Sequence, residues 1–129
     1  MNTKLIMSIS AVTMAAVGAG LIFLPKDLAQ LVGVDSNTAT ELILQVLGSL
    51  YFAFAMLNWM SKGNLIGGIY GRPIAIGNFT HFFVGGLGLI KAAIASPTVL
   101  IVGLAAFYGI FAGVFGLILF THPGKTADR

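Results

Sequence analysis

The sequence predicts an all-α fold: an integral membrane four-helix bundle of up-down topology, with a short interfacial helix after the first crossing. Three observations carry this. Hydrophobic residues make up 57% of the 129 residues and charged residues only 9%, whereas an average soluble domain carries roughly 25% charged residues. Seven basic and four acidic side chains cannot cover a water-facing surface. Four apolar runs, residues 5–24, 39–60, 73–95 and 98–120, are each long enough to cross a hydrocarbon core of about 30 Å at about 1.5 Å per residue. None alternates apolar and polar residues at every second position, as the strands of a membrane β-barrel do. The length suits one domain, residues 1–129.

The first run opens on Lys4 and continues to Leu24. A basic start before an apolar core resembles a secretory signal, and Val17, Gly18 and Ala19 resemble a cleavage site. The apolar stretch is long for a signal, so the run is read as a retained anchor. Pro25 then suits a first helical position, Leu28, Leu31 and Val32 form an apolar stripe, and Gly33 suits a helix stop. Residues 25–33 therefore read as a short helix lying in the interface.

Thr38 followed by Glu41 is a capping-box pattern opening the second run. Residues 61–71 are glycine-rich and read as a loop, Arg72 and Pro73 open the third run, and Ser96 and Pro97 turn tightly into the fourth. From Thr121 the chain turns polar, and His122 reads as interfacial. Four crossings place Lys4, Lys62, Arg72, Lys125 and Arg129 on one side and only Lys26 and Lys91 on the other. The positive-inside rule then predicts both termini on the cytoplasmic side. Trp59 and Tyr70 fall where an inner aromatic belt belongs, and Asp27, Asp35 and Glu41 lie on the outer side. The seven basic residues are scattered singly, which excludes the clustered basic face of a nucleic-acid binder. With no cysteine, thiolate metal sites and dithiol redox chemistry are excluded as well.

In lipid, helices associate where small residues let backbones approach. Candidate packing positions are Ala11, Ala15 and Ala19 in the first run, Gly77, Gly85, Gly88 and Ala92 in the third, and Ala105, Gly109 and Gly113 in the fourth. They serve packing within the bundle or contact with a second copy or another membrane subunit.

His81 is an ionisable residue near mid-depth of the third run, and such residues are costly in a membrane. It shares a face with Gly77, Asn78, Gly85 and Gly88, opposite Phe79, Phe83 and Ile90, which are expected to see lipid. Comparing depths across antiparallel runs gives a candidate polar layer of Thr13, Ser49, Tyr51, Asn78, His81 and Tyr108. These residues form either interhelical hydrogen bonds or a pocket for an apolar molecule with one polar group. One histidine is too few ligands for a metal, and no cofactor is expected. Glu41, Gln45, Ser49, Phe52 and Met56 make one stripe of the second run, either lining a cleft or capping and bonding neighbours, while Asn58 reads as interfacial. Arg72 is a candidate for a lipid headgroup, or more plainly a topology determinant that snorkels to the interface.

Pro25 after the first run, the Ala-Gln-Leu-Val-Gly-Val segment at 29–34 and the Leu-Gly-Ser-Leu-Tyr segment at 47–51 resemble the small four-helix bacterial membrane proteins of the DoxX-like group. The resemblance covers about residues 10 to 57. Relatives often carry arginine at the position of Gln45, a departure here. The resemblance implies a four-helix bundle in a bacterial inner membrane and no reaction.

No pair of inward carboxylates, Ser/His/Asp grouping, P-loop or HExxH is present. The leading expectation is a non-enzymatic accessory or structural subunit of a larger membrane complex. The alternatives are a binder or carrier of an apolar small molecule or lipid around His81, and a small oligomeric transporter or channel. Membrane lipids are the expected surroundings in every case.

Overall fold

A computed structural model describes residues 2–64 and 71–121. The described residues form five helices and no strand: α1 (Thr3–Phe23), α2 (Pro25–Leu31), α3 (Thr38–Ser61), α4 (Arg72–Ala95) and α5 (Val99–Thr121). All but α2 are 21 to 24 residues long and apolar enough to cross a membrane. Their length and composition are those of a multi-pass membrane protein. Tyr70, His122 and most of the expected 61–71 loop lie outside the described residues. The chain divides into two compact units, one holding α1 to α3 and the other α4 and α5.

Asn2 caps α1 by accepting from the Leu5 N–H at 3.1 Å. Inside α1, the Ser8 and Thr13 hydroxyls donate to the carbonyls of Lys4 and Ile9 at 2.8 and 2.7 Å. A hydroxyl tied to its own helix leaves no unmet donor in lipid. Pro25 has no N–H to continue the ladder, so α1 stops and α2 starts with Pro25 in its first turn. Gly33 follows α2 as the expected stop, and its φ of +75° suits glycine. There the Gly33 N–H donates to Gln30 O and the Val34 N–H to Ala29 O, at 3.0 and 2.9 Å. This pair of bonds is a complete Schellman stop.

The start of α3 differs from the capping box expected at Thr38. Asn37 is the cap, with its side chain accepting from the Thr40 N–H at 3.0 Å. Asparagine is at least as good a cap as threonine and sits one residue earlier. Glu41 instead accepts from the Ser36 hydroxyl at 2.6 Å. In the other unit, α4 ends with the Ser96 N–H on Ala92 O at 2.9 Å. Thr98 then caps α5 by accepting from the Ile101 N–H at 3.2 Å.

α1 and α3 pack antiparallel. The face of α1 that is buried is Met7, Ser10, Ala11, Met14 and Gly18, and that of α3 is Gly48, Ala55, Asn58 and Ser61. The closest approach is at two glycines. A Cβ on Gly18 would lie 2.8 Å from Gly48 O, and a Cβ on Gly48 would lie 2.8 Å from Gly18 O. The sequence-predicted Ala11 is buried on the same face of α1, two turns from Gly18, while Ala15 and Ala19 are only half-buried.

α4 and α5 pack antiparallel through larger side chains. Phe82 and Phe115 are almost fully buried. Phe82 lies 4.9 Å from the Phe111 ring and 5.9 Å from the Phe115 ring, stacked on both. Gly85 gives Tyr108 its place, because a Cβ there would meet Tyr108 Cε1 at 2.7 Å. Of the other small residues expected to pack, Gly77 and Ala105 are half-buried, while Gly88, Ala92, Gly109 and Gly113 are exposed.

Gly18→Val and Gly48→Leu should each destabilise the α1–α3 pair by about 1–3 kcal/mol, because the new side chain meets backbone that cannot yield. Gly88→Ala, in open space, should stay within about 0.5 kcal/mol of the parent. Unfolding in mixed micelles followed by circular dichroism would check both. Equal effects at Gly48 and Gly88 would refute the assigned contact.

Candidate functional site

Tyr108, on α5, and His81, on α4, meet across their hairpin. Tyr108 Oη lies 3.3 Å from His81 Nε2, and the rings are 5.5 Å apart. Which atom donates depends on the imidazole tautomer. Asn78, one turn before His81, is fully buried and donates to Ile74 O at 2.9 Å. Of the expected polar layer, His81 and Tyr108 are thus in direct contact, with Asn78 on the same helix.

Thr13 and Ser49 turn to their own helices. Thr13 bonds Ile9 O, and Ser49 donates to Val46 O at 2.7 Å from an exposed position. Tyr51 is half-buried on α3. Gln45 bonds the neighbouring helix, donating from Nε2 to Ile22 O at 3.5 Å. The Ile22 carbonyl sits in the last turn of α1, where helical carbonyls lack partners of their own. Phe52 and Met56, from the same stripe as Gln45, line a small apolar hollow with Ala11, Ala15 and Trp59. The polar members of that stripe do not line it. Trp59 and Lys62 meet at the end of α3, with the ammonium over the indole ring. Arg72 is exposed in the first turn of α4.

Asn58 is a correction. It is not interfacial but fully buried, with Nδ2 donating to Ser10 Oγ at 2.8 Å. Met14 Sδ lies 3.7 Å from both groups. The signal was present in the spacing Gly48, Tyr51, Ala55, Asn58, which alternates three and four residues along one helix face. The matching spacing on α1 is Met7, Ala11, Met14, Gly18.

A larger concavity lies elsewhere. A groove of about 490 Å³ runs along the α4–α5 hairpin. Phe79, Phe83 and Phe120 wall it, and Gly86, Gly109, Gly113 and Gly116 leave it open. A Cβ on Gly109 or Gly113 would meet nothing within 4 Å. All twelve lining residues are apolar or glycine. Neither His81 nor Tyr108 is among them. Phe82 lies between: it lines the groove, and its ring is 5.0 Å from His81 and 5.2 Å from Tyr108, edge-on to both. Phe79, expected to see lipid, stacks on Phe83 at 5.3 Å and rests against Gly116.

Among the described residues no cluster of three His, Cys, Asp or Glu side chains is placed to hold a metal. No family model, no curated protein and no solved structure matches the chain.

Interhelical hydrogen bonds in membranes average about 0.6 kcal/mol, so Tyr108→Phe should cost less than about 1 kcal/mol. Asn58→Ala should cost about 2 kcal/mol, since it removes a packed side chain and leaves the Ser10 hydroxyl without that donor. Unfolding free energies of the two variants in one detergent system would test this. A Tyr108→Phe loss exceeding that of Asn58→Ala would reverse the ranking.

Proposed function

We propose that this chain is a non-enzymatic membrane protein that holds a chain-like apolar molecule along the α4–α5 hairpin. The single observation carrying the reading is the groove of about 490 Å³ walled by phenylalanines and opened by glycines. Its size is within the range of small-molecule sites, about 300–1,000 Å³. It lacks the few convergent polar groups that orient a polar substrate. Shape and dispersion are therefore what it offers, and these suit a hydrocarbon chain.

The groups that chemistry would need are committed to structure. His81 meets Tyr108, Asn58 meets Ser10, and Glu41 meets Ser36. Three of the four acids, Asp27, Asp35 and Glu41, precede or open α3, and none lies within 71–121. The distribution of Lys and Arg supports both termini facing the cytoplasm, and the DoxX-like resemblance of residues 10–57 supports a bacterial inner membrane as the location.

A second reading, an accessory subunit of a larger complex, is favoured by Gly109 and Gly113. They form a small-xxx-small pair in open space, the kind of surface against which a partner's helix packs. Co-purification of a stoichiometric membrane partner in mild detergent, lost in Gly109→Leu, would support this reading over the first.

Gly113→Phe, whose side chain enters open space, should fold normally and displace the bound molecule. Native mass spectrometry of detergent-purified protein should show an apolar adduct on the parent, several-fold less on Gly113→Phe, and unchanged retention on Tyr108→Phe. Equal adducts on the parent and Gly113→Phe would overturn the assignment of the groove.

A further inference from the structure

Residues 71–121 contain two cations, Arg72 and Lys91, and no carboxylate. No acid of this hairpin can neutralise either one. They stand near opposite ends of α4: Arg72 in its first turn and Lys91 four residues before its last residue. On α5 the lining of the groove reaches Phe120, one residue before that helix ends on the Arg72 side. On α4 its lining runs from Phe79 to Ile90, so it ends at the residue preceding Lys91. Lys91 is exposed.

The dimensions decide what kind of apolar body fits. From Phe79 to Ile90 on α4, and from Gly109 to Phe120 on α5, the lining covers about 16 Å of rise on each helix, and because Gly116 stands against Phe79 the two stretches are offset, giving a groove about 24 Å long. A volume of about 490 Å³ over that length leaves a channel about 5 Å across, half the 10–12 Å of a helix with its side chains. One hydrocarbon chain matches this width. Lys91, which directly follows the lining residue Ile90, then specifies the head of the molecule. A Lys ammonium on a flexible stem at a helix end reaches the interface, where the complementary group is a lipid phosphate.

We propose that the groove seats one acyl chain of an anionic phospholipid from the leaflet on the Ser96–Pro97 side, with Lys91 pairing with its phosphate. This rests on the reading of the groove as an apolar binding site and adds the ligand class, the leaflet and the polar contact. No covalent step is involved.

The test uses the full chain in detergent, incubated with an equimolar mixture of dioleoyl phosphatidylglycerol and dioleoylglycerol. These share their chains and differ in the phosphate-bearing head. Native mass spectrometry should show the phospholipid retained about fivefold over dioleoylglycerol, the effect of one Lys on an anionic head. Lys91→Gln should abolish that preference while both lipids still bind. Arg72→Gln should leave it intact, and Gly113→Phe should lose both lipids. No preference in the parent, a preference surviving Lys91→Gln, or an equal loss in Arg72→Gln would overturn the pairing with Lys91 and leave the apolar groove standing. Retention of neither lipid by the parent would bring down both.

Discussion

A bilayer offers no water to hydrogen-bond a stray backbone group and no hydrophobic gain for hiding one leucine against another. Helix pairing then has to come from close approach, aromatic packing and a few satisfied polar contacts. The two units meet this constraint differently. In α1–α3 the backbones touch: Gly18 and Gly48 each leave the space the other's carbonyl occupies. In α4–α5 phenylalanines fill the interface around Phe82 and Phe115, and Gly85 and Gly116 are cut back to admit neighbouring rings.

This difference explains where the concavities lie. A glycine-to-glycine crossing leaves a small hollow beside Phe52 and Met56. Bulky side chains concentrated along one seam hold the flanks of α4 and α5 apart, and the glycines at 109 and 113 do not fill the gap. The groove is therefore a consequence of packing phenylalanines beside glycines. The same glycines placed in the seam would have closed the hairpin.

The helices were legible in the sequence because hydropathy, Pro25, Gly33 and the Ser96–Pro97 turn mark length and punctuation directly. Their rotations were not. A soluble helix reveals its buried face by contrast with its polar one, and these helices are apolar all round. The spacing of Ala11, Ala15 and Ala19 points to them as the seam of α1, whereas the close approach is at Gly18, and that of Gly109 and Gly113 points to an open face of α5 rather than to Phe115. Asn58 was misread for a related reason. A polar residue three positions before the end of a span normally reaches the headgroups, and only its partner on α1, Ser10, shows that it turns inward. His81 was legible as a residue needing a partner, and Tyr108 was on the short set of candidates. The groove was not legible, because it contains no polar residue to attract attention.

The separation of the groove from His81 bears on how each is read. Had His81 lined the groove, the pair with Tyr108 would be the natural polar anchor for a bound molecule at mid-depth. Phe82 interposes its ring between the two. A ligand in the groove therefore meets only hydrocarbon along its length, and any polar group it carries must emerge at an end. A molecule apolar in the middle and polar at one terminus satisfies this arrangement, and membranes are made of such molecules. On this argument the His81–Tyr108 contact serves the hairpin, holding α4 to α5 on the side where no groove opens. The groove lies on the side that polar residues avoid.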